Sequence, residues 1–371
     1  MAALCTVNAI ACTAYSPAAK LAPERQETPW TAYLGTPQHD ASAAETLSAD
    51  PRPRWRARVG RAVRGCPAVG DAIIAVGTVD RQVVLLDRAT GQVLWRTRLR
   101  GTIRAGPLLD RDRLYAGTEA SPDGRVYALH LKDGRVLWET RTGSVEASLA
   151  LDHDTLFAAT EEGVVLRLAT ADGKVVWRRQ LPGAVRAPPV PTPDGLAVAT
   201  TADTLFLLDR ATGAVRRRLA TAGAVLGGPA LGPEGKTLYL GTAGGHVTAV
   251  ELPRLSVTWD VDAGDAVFGA PAVSRDTVYV LTRNGMLWLI SRAGAAGARS
   301  LPLHIVATAG PTPLARGVLA ASVSGEVVLV DPASGAIEWR VQLDGPIEQP
   351  PLVRGGDLVV VGGRGDIHTY R

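Results

Sequence analysis

Three cysteines, six histidines and two asparagines are what this chain of 371 residues offers for metal, redox or nucleophilic chemistry. Cys5 and Cys12 fall within the first dozen residues, which leaves Cys66 alone in the body of the chain. Neither a disulfide framework nor a cysteine-based zinc site can be built from that. The histidines, at 39, 130, 153, 246, 304 and 368, are scattered singly, and no two stand at metal-ligand spacing. No G-x-S-x-G, P-loop or H-E-x-x-H occurs. The catalytic arrangement left open is a site assembled from several distant segments. Charge excludes more. The formal net charge is +4, basic and acidic residues are interleaved, and there is no basic arm of the kind that tracks nucleic acid. No run of 18 apolar residues is present to cross a membrane as a helix.

The elements that must position any site follow from turns and repetition. Gly and Pro number 40 and 25, a density that argues against helices. The segment LLDRATGQVLW, ending at Trp95, returns as ALHLKDGRVLW at Trp138, RLATADGKVVW at Trp177 and LVDPASGAIEW at Trp339. Altered copies end at Arg217, Trp259 and Arg299. With Trp55 the intervals are 40, 43, 39, 40, 42, 40 and 40, so eight beats fill the chain from residue 55 onward. Each beat carries alternating apolar runs of four to six residues split by Gly, Asp and Pro, which read as four short antiparallel strands. Such a period is that of a β-propeller blade. The final beat stops before its last strand, and Trp55-Arg56-Ala57-Arg58-Val59 supplies the missing one. The expectation is an all-β, eight-bladed propeller of four-stranded blades over 55–371, closed by its N-terminal strand. Residues 18–54, rich in Ala, Pro, Thr and Ser, read as a linker and lead-in in which Trp30 and Tyr33 are candidate anchors.

The recurring T/D-G-x-x-x-W resembles the PQQ-like repeat over residues 55–371, and among such propellers the chain is most similar to the BamB-type outer-membrane assembly lipoproteins. That resemblance implies that Trp55, Trp95, Trp138, Trp177, Trp259 and Trp339 dock adjacent blades. An indole suits the role, with a large apolar surface and one N–H to satisfy. Arg217 and Arg299 depart from the pattern, so blades four and six should dock more loosely. The resemblance also reaches quinoprotein dehydrogenases, which hold PQQ over calcium with Glu, Asn and Asp. Here Asn284 is the one asparagine of the repeats and no adjacent cysteine pair exists. No cofactor is therefore expected, and repeat homology alone does not imply one.

Overlaying the beats places Arg64, Arg104, Glu146, Arg186, Leu226, Phe268, Thr308 and Glu348 at the start of each innermost strand, on one mouth of the ring. The same face receives the charged turns with Asp80, Glu119, Glu161, Glu162, Arg283, Asn284 and Arg364. Arg64, Arg104, Glu146, Arg186, Phe268 and Glu348 form the candidate rim for a protein partner, against the plain reading of solvated turns. Residues 1–17 carry Ala9-Ile10-Ala11-Cys12, which resembles a lipobox. As the remnant of a lipoprotein signal it would have Cys12 acylated and the propeller tethered in the periplasm. As a ragged cytoplasmic N-terminus it would not. Two functions stand: a non-catalytic, monomeric envelope scaffold binding protein partners such as the β-barrel assembly machinery, or a ligand-binding oxidoreductase or sensor.

Overall fold

Eight four-stranded antiparallel sheets stand in a ring, with no helix among the described residues. The structure, a computed structural model, describes residues 33–36 and 44–371. Cys5, Cys12, Trp30, the signal remnant 1–17 and most of the lead-in lie outside the described residues. Blade one runs Ala68–Val69, Ile73–Gly77, Gln82–Asp87 and Val93–Arg98, from the channel outward. The other blades repeat this order, so the forty-residue beat is one blade long. Middle strands are buried on both faces, and Ile73–Gly77 has no exposed residue. Outer strands such as Val175–Gln180 alternate between partly buried and exposed. That gradient is what face-to-face packing of blades around an axis produces.

The ring closes as expected. Pro53–Arg58 pairs antiparallel with Asp366–Tyr370 and becomes the outer strand of blade eight. Charge staples the closure. The Asp357 carboxylate, almost wholly buried, receives Arg54 at 2.7 Å, Arg88 of blade one at 2.9 Å and Arg371 at 3.0 Å. Arg56 meets Asp366 at 3.1 Å.

The tryptophans sit between blades. Four indole N–H groups reach a backbone carbonyl of the next blade at 3.0 Å or less: Trp55 to Arg88 at 3.0 Å, Trp95 to Leu131 at 2.8 Å, Trp138 to Thr170 and Trp177 to Arg210 at 2.9 Å. Under each of these four rings lies the turn glycine of that next blade, Gly91, Gly134, Gly173 and Gly213. At Gly134, with φ +71°, a Cβ would stand 2.6 Å from the Trp95 ring, so the turn conformation and the close approach both demand glycine. Trp259 donates to the Arg292 carbonyl at 3.4 Å, and the Trp339 ring packs edge-on against Tyr370. His130 serves as a turn residue, its carbonyl accepting from Gly134 N–H at 2.8 Å.

The two departures behave differently. Arg299 spans to the carbonyls of Pro332 at 2.5 Å and Ala333 at 3.1 Å, the same offset as an indole bond. Blade six is therefore bonded to its neighbour by a guanidinium rather than loosened. Among the described residues Arg217 donates only to its own neighbour, the Arg216 carbonyl, at 3.0 Å. Leu207, Leu219, Leu252 and Leu255 fill that seam instead.

One strand boundary needs correction. The innermost strands begin after the recurring proline, at Ala68 and Leu108, rather than four residues before it. Arg64 and its counterparts lie on the crossing segment that precedes the strand. Its donors are answered by turns of the preceding blade, as in Ile103 to Thr78 at 3.2 Å and Val145 to Thr118 at 3.1 Å.

Candidate functional site at the funnel mouth

Eight crossing segments converge on the ring axis, and each contributes at least one residue to a common cavity of about 250 Å³. The six rim residues picked out by the overlay, Arg64, Arg104, Glu146, Arg186, Phe268 and Glu348, all line it, together with Leu226 and Thr308. The crossing segments position them because their backbone is pinned to neighbouring turns, so the side chains project over the channel.

The mouth has two arcs. Along the charged arc every guanidinium faces a carboxylate. Arg64 pairs with Glu348 across the closure, Arg104 meets Glu119 at 2.5 Å, and Arg186 holds Glu161 through two bonds of 3.1 Å. Glu146 lies 3.6 Å from Arg186. Blades five to seven supply the other arc with Leu226, Phe268 and Thr308, whose hydroxyl is buried with no hydrogen-bond partner among the described residues.

Two carboxyl groups share the middle of the charged arc. Glu146 is raised to about 7 by its hydrogen bond with Glu161, by burial and by the Glu161 charge. Burial also works to raise Glu161, but hydrogen bonds from Glu146 and Arg186 and the Arg186 charge outweigh it, leaving Glu161 below its ordinary value. One proton thus sits between them near neutrality, on the Glu146 side.

Tyr33 and Cys66 line the cavity below the rim. Burial pushes the Cys66 thiol well above its usual range, against the lowering effect of a backbone hydrogen bond from Leu34. A thiol so raised is a poor nucleophile. Ser148 Oγ accepts the Gly106 N–H at 3.1 Å. What this lining can do is recognise, through charge-assisted bonds on one arc and aromatic or aliphatic contact on the other.

Two features of the site escape the overlay of repeats. Glu119 and Glu161 fall on turns of the same face but not as partners of Arg104 and Arg186, because Arg186–Glu161 joins two blades and Arg104–Glu119 joins the crossing segment of blade two to a turn beyond two of its strands. Tyr33 reads as a candidate linker anchor and not as part of the cavity, since it precedes the repeats and no spacing points to it.

Comparison with known proteins follows the repeats. The family profile described as outer membrane protein assembly factor BamB matches residues 42–148, 122–252, 202–296 and 289–370. The assembly factor BamB of Legionella pneumophila (strain Paris) is 29% identical over 202 residues, 49% of each chain. That of Xanthomonas campestris pv. campestris is 26% identical over 326 residues, covering 83% of this chain and 69% of the relative. A tetrathionate hydrolase of Acidithiobacillus ferrooxidans is 24% identical over 293 residues, 74% of this chain and 52% of the enzyme. The match thus spans about half the length of the Legionella relative and of the hydrolase. Among solved structures, BamB of Moraxella catarrhalis superposes with a TM-score of 0.73 at 15% identity, over 86% of this chain and 99% of that one. Quinohemoprotein alcohol dehydrogenase from Comamonas testosteroni gives 0.73 at 14%, over 92% and 80%. Such identities establish a shared fold only.

Proposed function

The chain belongs to the family of outer membrane protein assembly factor BamB, and on that premise we propose that it is a non-catalytic cell-envelope scaffold whose funnel mouth binds protein partners of β-barrel assembly. The observation that carries the reading is the mouth itself, where paired charges and an apolar arc with Phe268 are held by a rigid ring. Loops on a fixed scaffold, with arginine and aromatic groups side by side, suit a protein partner. Tethering through Cys12 on the periplasmic side completes the proposal.

In its quinoprotein form the alternative oxidoreductase reading would hold PQQ over calcium, and the funnel residues do not fit that pair. Calcium takes six to eight oxygen ligands. Among the described residues no three His, Cys, Asp or Glu side chains are grouped for a metal. The mouth's carboxylates face arginines, and Asn284 Oδ1 accepts the Thr282 hydroxyl at 2.6 Å on a turn outside the funnel lining.

A detergent extract of the source envelope passed over the immobilised protein tests this. The native chain should retain β-barrel assembly proteins, and F268E combined with R104E should release them without altering the melting curve. Equal retention by the variant, or PQQ and calcium bound at stoichiometry, would overturn the reading.

A further inference from the structure

The outer strand of blade four, Val215–Ala220, departs from the other outer strands in two ways. The first concerns the docking position, where Arg217 makes no bond to the next blade although Arg299 at the same place does. The second concerns the residue after it. In the other blades a charged residue there is always engaged. Arg56 meets Asp366 at 3.1 Å, Glu139 meets Arg125 at 3.0 Å, Asp260 meets His246 at 2.7 Å and Arg340 meets Glu326 at 3.3 Å. Arg96 and Arg178 reach the carbonyls of Val59 at 2.6 Å and Thr142 at 3.2 Å.

These four side-chain contacts join the outer strand to the strand beside it. In blade four the partner position is Thr204, whose hydroxyl bonds the Ala202 carbonyl at 2.9 Å, and Arg218 has no ion pair among the described residues. Arg216 differs, for it pairs with Asp209.

Two adjacent guanidinium groups with no carboxylate partner among the described residues thus stand on one strand, and five of its six residues are exposed. It lies at the edge of its sheet, so one row of backbone N–H and C=O groups is open. Arg217 sits opposite Leu207 and Arg218 opposite Phe206, so the two side chains leave opposite faces of the sheet. Beside the strand runs a groove of about 470 Å³ lined by Pro182, Thr204, Phe206 and Val215, with Arg216, Arg217 and Arg218 along it.

We propose that this edge docks an extended acidic segment of a protein partner, which adds to blade four as a fifth strand. Main-chain hydrogen bonds supply the pairing, and two consecutive acidic residues in the segment answer Arg217 on one face and Arg218 on the other. An apolar side chain two positions from the acid that meets Arg218 lies in the groove. The site is on the perimeter, away from the funnel mouth, and stands whether or not the mouth binds a partner.

The test uses the full chain and three fluorescein-labelled peptides in an anisotropy titration. The first is Thr-Val-Glu-Glu-Thr-Val-Thr, the second carries Gln-Gln at its centre, and the third is the acidic peptide with alternate backbone amides methylated. The acidic peptide should bind at least about tenfold more tightly than either control. R217E/R218E should weaken it by at least about tenfold, with an unchanged melting curve, and R217Q/R218Q should weaken it less. Equal affinity for the methylated peptide would reduce the edge to general charge attraction and overturn the proposal. So would unchanged binding by R217E/R218E, or no binding by the native chain at about 1 mM. In those cases the arginines serve only to keep the edge from pairing with copies of itself.

Discussion

Trp95 and Gly134 constrain each other. The ring lies where a side chain at 134 would begin, and its N–H is satisfied only by the carbonyl of Leu131, in the same blade as that glycine. Trp95→Ala removes a side chain only 7% exposed, and should cost about 3–5 kcal/mol in chemical denaturation. A loss under about 1 kcal/mol would count against the docking role. The six tryptophans were legible because an indole that returns at the same place in successive repeats marks a packing position of the repeat itself. The service rendered by Arg299 was not, because a guanidinium at an indole position reads as damage until its reach to Pro332 is measured. Tyr33 was legible only as an anchor, since a residue before the repeats has no counterpart to be compared with.

At the scale of elements, the crossing segments of blades two to four, with Arg104, Glu146 and Arg186, act together with the turns that carry Glu119 and Glu161. Glu146 titrates near 7 when folded, above its ordinary 4.5, so the fold favours its protonated form. That contribution is fully present below the unfolded value, falls as pH rises towards 7, and is gone above it. Glu146→Gln keeps the hydrogen bond without the charge, and should flatten this part of the pH profile. It should stabilise the protein at pH 8 by about 1 kcal/mol after allowance for solvent screening. Melting curves at pH 5.5 and pH 8 check it, and an unchanged difference between them would remove the shared proton from the account. Sequence placed these elements well, apart from the start of the inner strands. The alternating pattern runs on through the crossing segments, but their backbone bonds go to turns, and a one-strand pattern cannot distinguish the two.

The whole ring depends on one composite blade. Deleting residues 54–60 removes the outer strand of blade eight together with Arg54 and Arg56, and leaves Asp357 with fewer counter-charges. The melting temperature should drop sharply, and an unaltered melting curve would contradict closure by this strand. Blade number and closure were readable because they follow from counting the beat and comparing its two ends. The two arcs of the mouth were readable only as a set of positions, since their pairing depends on which segments the ring makes neighbours.

Composite closure also sets a timetable. Arg54 and Asp357 are 303 positions apart. At translation rates of about 5–20 residues per second, the first waits roughly 15 to 60 seconds for its mate to be made. Through that interval Pro53–Arg58 is a strand without a sheet, and seven finished blades can form only an open crescent. A pause on the ribosome within the last blade would therefore prolong the exposure of both unsealed ends, and a chaperone that shields either one does its work before the ring exists.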